Sequence, residues 1–124
     1  MSTASFDNIQ PSAGGTARNA VRGIAAAWAN LNGTGTIALR DSENVSSVVD
    51  NGTGNYTFNF SNVMASLNSS VSCGLSNSGR FSAEIGMVSS QFDTLTKTVT
   101  SSSNATPISV DTPYVAPVVY GDLA

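Results

Sequence analysis

An all-β fold, an antiparallel β-sandwich of jelly-roll-like type, is expected for this chain on three grounds. First, Val45 to Phe60 reads as two β-like runs hinged on Asp50-Asn51-Gly52, where Gly lacks a Cβ and Asn tolerates the left-handed region that a tight hairpin turn needs. Second, apolar and polar residues alternate with period two. Tyr56, Phe58 and Phe60 interleave with Thr57, Asn59 and Ser61, and Phe81, Ala83, Ile85 and Met87 form another such series. Third, runs of this kind recur at short intervals between Gly-, Asn- and Ser-rich turns, which suits seven to nine strands in a sandwich or barrel.

Taken along the chain, residues 1–15 end in Pro11-Ser12-Ala13-Gly14-Gly15 and lack periodicity, so they are expected to form an extended arm ahead of one β domain over 16–124. Phe6 and Ile9 are the sizeable apolar anchors of that arm, and Pro11 opens its hinge. Thr16 is placed to cap a short helix over about 16–27, because Ala17, Val21, Ile24, Ala25 and Trp28 fall at helical spacing. Gly23 weakens that helix by roughly 1 kcal/mol relative to Ala. From Trp28 the period becomes two, with Ala29 and Leu31 on one face and Trp28, Asn30 and Asn32 on the other. Asn32-Gly33-Thr34-Gly35 then turns the chain into a strand over 36–40 with Ile37 and Leu39 inward. Further strands are expected at 45–50, 55–61, 70–76, 80–88, 94–100, 106–110 and 114–120, with Ser76-Asn77-Ser78-Gly79 a turn and the Ser101-Ser102-Ser103-Asn104 cluster a loop.

Composition removes several classes of function. The chain has 124 residues, enough for one domain with a modest core. Only 10% of them are charged, against 40% hydrophobic, so the surface must be built largely of hydroxyls and amides. The net charge is −3 and the five basic residues, Arg18, Arg22, Arg40, Arg80 and Lys97, are scattered. Phosphate binding needs cations gathered in one patch, so nucleic acid is not an expected partner. No apolar run approaches the ~20 residues of a membrane span, and no membrane association is expected. The first residues carry neither a basic region nor an apolar signal core, which suggests a protein made in the cytosol without processing.

The residues that carry chemistry are few. Histidine is absent, which removes Ser-His-Asp and Cys-His catalysis and the usual zinc sites; no enzyme activity and no cofactor are expected. Asp41 and Glu43 could share one strand face, although Asp41-Ser42-Glu43-Asn44 reads better as a solvated link between strands. Asp50 to Asn55 offers oxygens at alternating positions, as a calcium loop does, but its glycines and its place between two strands favour a hairpin turn. Cys73, the single cysteine, lies between Val71 and Leu75 on an apolar face and reads as a buried small hydrophobe rather than a reactive or intersubunit thiol. Seven Asn-x-Ser/Thr triplets begin at Asn32, Asn44, Asn51, Asn55, Asn59, Asn68 and Asn104, a frequency that Asn-, Ser- and Thr-rich composition produces without glycosylation. Trp28, Tyr56, Tyr114 and Tyr120 are candidates either for a sugar-stacking surface or for core and subunit interface; their places inside alternating strands favour the second.

Three consecutive segments carry a likeness to a known module: A-W-A-N-L-N-G-T-G-T-I-A-L-R-D-S from Ala27 to Ser42, N-V-S-S from Asn44 to Ser47, and D-N-G-T-G-N-Y-T-F-N-F from Asp50 to Phe60. Together they resemble a module common in tailed-phage fibre proteins, and the upstream P-S-A-G-G-T-A-R from Pro11 to Arg18 resembles its lead-in. The resemblance covers residues 11–62 closely and the second half in general character only. It implies a phage virion structural protein, located in the virion after assembly in the host bacterial cytoplasm, and a homotrimeric sandwich with no catalytic residue to carry over. Such modules usually end a long shaft, whereas this chain has no coiled-coil heptads or collagen repeats. Three roles are therefore open: a short tail fibre, spike or receptor-binding component; a capsid decoration (cement or head-fibre) protein stabilising the phage head; or a carbohydrate-binding adhesion module. The implied partners are two further copies of the chain, other virion proteins (tail and baseplate, or the major capsid protein) and a host surface glycan, with Phe6, Ile9 and Pro11 in the attachment arm.

Overall fold

The computed structural model describes residues 8–9, 18–19, 23–76, 81–98 and 106–124. They form the expected all-β sandwich. A two-stranded pair comes first, β1 (Asn8–Ile9) with β2 (Arg18–Asn19). Eight strands follow: β3 (Ala27–Asn32), β4 (Ala38–Glu43), β5 (Val45–Asp50), β6 (Asn55–Phe60), β7 (Ser70–Ser76), β8 (Phe81–Val88), β9 (Gln91–Thr98) and β10 (Tyr114–Tyr120). They divide into two antiparallel four-stranded sheets, ordered β4-β3-β10-β7 and β5-β6-β9-β8. Three hairpins lie within sheets (β3–β4, β5–β6, β8–β9), and the chain changes sheet between β4 and β5, β6 and β7, β7 and β8, and β9 and β10.

The core follows from the alternation. On β3 the inward residues are Ala27, Ala29 and Leu31, and on β10 they are Val115, Pro117 and Val119. The facing sheet contributes Tyr56, Phe58 and Phe60 from β6 and Phe92 and Thr94 from β9. Small side chains on one sheet thus oppose large rings on the other, which fills the space between two sheets without strain. Phe58 and Phe92 are cross-strand partners with rings stacked 4.8 Å apart and 3° from parallel, and Phe60 tilts onto Phe92 at 5.4 Å. Val71, Cys73 and Leu75 pack against this core from β7, so the cysteine sits on the apolar side its neighbours indicated. Pro117 stands in a central strand, where a missing N–H would break a ladder. It pairs in register with Cys73 of β7, while the ladder to β3 omits 116 and 117 and resumes at Val118↔Trp28.

Thr94 is the exception within the core: fully buried, its Oγ1 has no hydrogen-bond partner. A buried hydroxyl without a partner is destabilising. Thr94→Val keeps the shape and removes that oxygen, so it is expected to raise stability by about 1 kcal/mol, read as a higher urea midpoint.

Several local expectations are corrected. The helix expected over about 16–27 falls largely outside the described residues: Gly23 is helical, but Arg18–Asn19 is extended and paired with Asn8–Ile9, and Ala27 already opens β3, so the expected bounds are not kept at either side. From Ala27 the period-two burial of Ala27, Ala29 and Leu31 prevails over the helical spacing. Thr16, Phe6 and Pro11 lie outside the described residues, as does the loop 101–104. The strand expected at 36–40 lies at 38–43, so Asp41 and Glu43 belong to β4, opposite Asn30 and Trp28, and not to a loop. Leu39 is consequently exposed on this edge strand, while Ile37 packs against the core. Residues 106–110 form no strand beyond a single bridge residue at Ser109.

At the β5–β6 hairpin the left-handed residues are Gly52 (φ 116°) and Gly54 (φ 68°), and Asn51 is not among them. The loop therefore spans four residues, closed by Asn51 N–H to Asn55 O (2.9 Å) and Asn55 N–H to Gly52 O (2.9 Å). The Asp50 carboxylate accepts from Gly52 N (2.9 Å), and the Asn51 amide donates to Thr57 Oγ1 (2.8 Å). Space around Gly52 is open, so Gly52→Val acts through backbone strain alone and is expected to cost about 1–3 kcal/mol in a urea melt.

Candidate binding surface

The outer face of the β4-β3-β10-β7 sheet gathers three of the four singled-out aromatics. Register sets Val118 of β10 beside Trp28 of β3, with Ala116 and Tyr114 towards one end of the strand and Tyr120 at the other. Tyr114 and Tyr120 are 44% and 43% exposed and Trp28 is half-buried. On the far side β7 places Ser70, Ser72, Gly74 and Ser76 opposite these residues, so among the described residues this strand adds no bulky side chain over the aromatic row. On the near side Arg40 is the extra residue of a β-bulge between Asn30 and Leu31. Its guanidinium lies 4.2 Å from the centre of the Tyr114 ring, and it donates to Pro113 O (2.6 Å) and Asn30 Oδ1 (3.2 Å). One edge of the face is thereby stitched down by a cation–π contact.

Tyr56 does not belong to this face. It is wholly buried, and its hydroxyl lies within hydrogen-bond reach of Gly33 O (2.8 Å) and Asp111 Oδ1 (2.9 Å), the latter oxygen also accepting from Gly54 N (2.7 Å). Gly33 N–H in turn donates to Thr112 O (2.9 Å). One phenol thus ties the β3–β4 turn, the β5–β6 turn and the segment before β10 together. Burial, followed by the hydrogen bond and charge of Asp111, raises the phenol well above its ordinary value of 10.0. Burial likewise pushes the Cys73 thiol up from 9.0 to about 11. Both shifts favour the neutral form in the folded state. Their stabilisation is whole below pH 9, and stability falls above it as unfolded thiol and then, past pH 10, unfolded phenol release protons that the folded chain retains. A melting temperature flat from pH 6 to 9 and declining from there to 11 is expected; Tyr56→Phe should make the decline shallower above pH 10.

At the opposite end of β10 a groove of about 710 Å³ lies between the 66–70 segment and Tyr120, Gly121 and Asp122. Gly121 is packed tightly in its wall: a Cβ there would meet Met64 Cε at 2.7 Å and Ser69 Cβ at 2.8 Å. Main-chain bonds fix both walls, Ala65 N–H to Asp122 O (2.8 Å) and Ala124 N–H to Val63 O (2.9 Å).

Among the described residues no group of three His, Cys, Asp or Glu side chains lies close enough to hold a metal ion, and no helix is long and apolar enough to cross a membrane. Of the anticipated attachment residues only Ile9 is described, in register with Arg18. Residue-level reading missed Asn44 and Asp111, whose roles depend on partners far along the chain, and it missed the Gly121 groove, since nothing local marks that glycine. Comparison with protein-family models, with curated proteins and with solved structures gives no match.

Proposed function

We infer that this chain is a non-catalytic structural protein of a bacteriophage virion, acting in a short tail fibre or spike that attaches the particle to its host. The observation that supports this reading is where the phage-fibre-like run falls. Ala27 to Phe60 spans β3, β4, β5 and β6, two hairpins joined by one change of sheet. The residues that carry the resemblance occupy its special positions: Gly33 under the Tyr56 hydroxyl, Asn44 at positive φ between the sheets, and Gly52 and Gly54 at positive φ in the second turn. The likeness thus lies in a folding unit and not in composition alone. A low density of charge and the partly exposed Tyr114 and Tyr120 on the first sheet suit packing against other copies, and a homotrimer is the expected assembly. Sedimentation should give three copies per particle; a monomer at micromolar concentration would count against it. The segment containing Phe6, Ile9 and Pro11 is assigned to docking on a neighbouring virion protein.

Quantitative mass spectrometry of purified virions tests the role. Tens of copies, with antibody labelling at the tail, are expected. Hundreds of copies over the shell would make the protein a head decoration instead, and absence from virions would remove the reading altogether.

A further inference from the structure

We propose that Asn51-Gly52 is a self-modification site, at which the main chain attacks the Asn51 side-chain amide, expels ammonia and leaves aspartate or isoaspartate at the tip of the β5–β6 hairpin. In the sequence only Asn32 and Asn51 precede glycine, the residue whose missing Cβ leaves room for the succinimide ring that such a reaction passes through. The fold separates the two pairs. Gly33 is buried and its N–H donates to Thr112 O (2.9 Å), while Asn32 Oδ1 accepts from Thr34 N (3.2 Å) and Thr34 Oγ1 (2.7 Å), so neither the nitrogen nor the carbonyl is free to close a ring. Asn51 and Gly52 are both exposed, and beyond the neighbouring residues no atom lies within 4 Å of where a Gly52 Cβ would stand. The Gly52 N–H donates to the Asp50 carboxylate (2.9 Å), an acceptor placed to take its proton as the nitrogen attacks. The reaction balances with water alone. The bond from Gly52 N to Asn51 Cγ forms, the Cγ–Nδ2 bond breaks, and the Gly52 amide proton passes by way of Asp50 to Nδ2, which leaves as ammonia. Water then opens the ring at Cγ, giving aspartate, or at the main-chain carbonyl, giving isoaspartate.

Either product alters the hairpin. Nδ2 no longer donates to Thr57 Oγ1, whose own proton is already given to Asp93 Oδ1 (2.5 Å), so in the aspartate form a new carboxylate meets an oxygen with no proton to offer and a second negative charge behind it. Isoaspartate adds one methylene to the main chain of a loop closed by Asn51 N–H to Asn55 O and Asn55 N–H to Gly52 O. The purified full-length chain is incubated in mildly alkaline buffer made with heavy-oxygen water, then digested and read by mass spectrometry with fragmentation that separates aspartate from isoaspartate. Label from water is expected at Asn51 in both products, at a rate no lower than in the guanidinium-unfolded chain, while Asn32 converts only in the unfolded chain. Asp50→Asn keeps an oxygen in place but removes the base, and it should slow Asn51 roughly tenfold or more in the folded chain and little in the unfolded one. The comparison of Asn51 with Asn32 needs no variant, so the assignment stays testable even if Asp50→Asn is less stable. Slower conversion of Asn51 in the folded chain than in the unfolded one, equal conversion of Asn32, or a folded Asp50→Asn chain that reacts at the parent's rate would each overturn the assignment. The reaction involves no other virion protein, so it stands or falls independently of copy number in virions.

Discussion

Replacing Asn44 with alanine is expected to destabilise the protein by about 3–4 kcal/mol, a large part of the ~5–15 kcal/mol that holds a typical domain together. Asn44 is the single residue between β4, at the edge of one sheet, and β5, at the edge of the other. Its φ of 55° makes it the one non-glycine residue in the left-handed region among those described. Its side chain is used in full: Nδ2 donates to Ala26 O (3.1 Å) and Asn62 O (2.9 Å), and Oδ1 accepts from Asn62 N (2.7 Å). Its main-chain oxygen accepts from Ser61 N (3.1 Å). The corner between the sheets is thus fastened both to the residue that leads into β3 and to the segment that leaves β6. Bulges on either side, at Arg40 and Ser46, bend the two strands towards it.

Alanine loses three hydrogen bonds, each worth about 1 kcal/mol net, and adds left-handed strain of about 1 kcal/mol. Two companion variants separate these contributions. Asn44→Gly relieves the strain without restoring the bonds, and Asn44→Asp keeps the Oδ1 acceptor but loses both donated bonds. Urea midpoints should rank the parent above both companions and both above alanine. An Asn44→Ala protein within 1 kcal/mol of the parent would show that the change of sheet does not depend on this side chain.

Gly33→Ala is expected to cost about 2–4 kcal/mol for a different reason, the lack of room. A Cβ at position 33 would fall on the Tyr56 hydroxyl, and it would stand 2.9 Å from Tyr56 Cζ and 2.9 Å from Thr112 O. The ring is wholly buried beside Phe58 on the same strand, so it cannot swing out freely. Moving it would break its bonds to Gly33 O and Asp111 and loosen the segment that leads into β10. A double-mutant cycle with Tyr56→Phe checks the cause. Without the hydroxyl the nearest contact is gone, so Gly33→Ala should cost less in that background, by about 1 kcal/mol or more. Equal costs in both backgrounds would mean that Thr112 O, and not the phenol, sets the limit.

Strand content was legible because burial on a pleated surface imposes period two, and the series Ala27–Leu31, Tyr56–Phe60 and Val115–Val119 display it without interruption. The β5–β6 turn was legible for a similar reason, since Asp-Asn-Gly chemistry acts over four residues. Periodicity cannot say which face of a strand a partner covers. Trp28, Tyr56, Tyr114 and Tyr120 looked equivalent along the chain, yet pairing with β9 turned Tyr56 into the core and pairing with β7 left Tyr114 and Tyr120 outside. The end of the expected helix near Ala27 was not legible because small alanines satisfy helical spacing and strand burial alike, and the facing Phe58, Phe60 and Phe92 decide for the strand by leaving room only for small partners. Asn44 and Asp111 were silent for the same underlying reason. Local chemistry dictates alternation and turns, whereas strand order, the sheet corner and the groove beneath Tyr120 arise from contacts between residues distant in the chain, whose energies exist only once the two sheets have closed on one another.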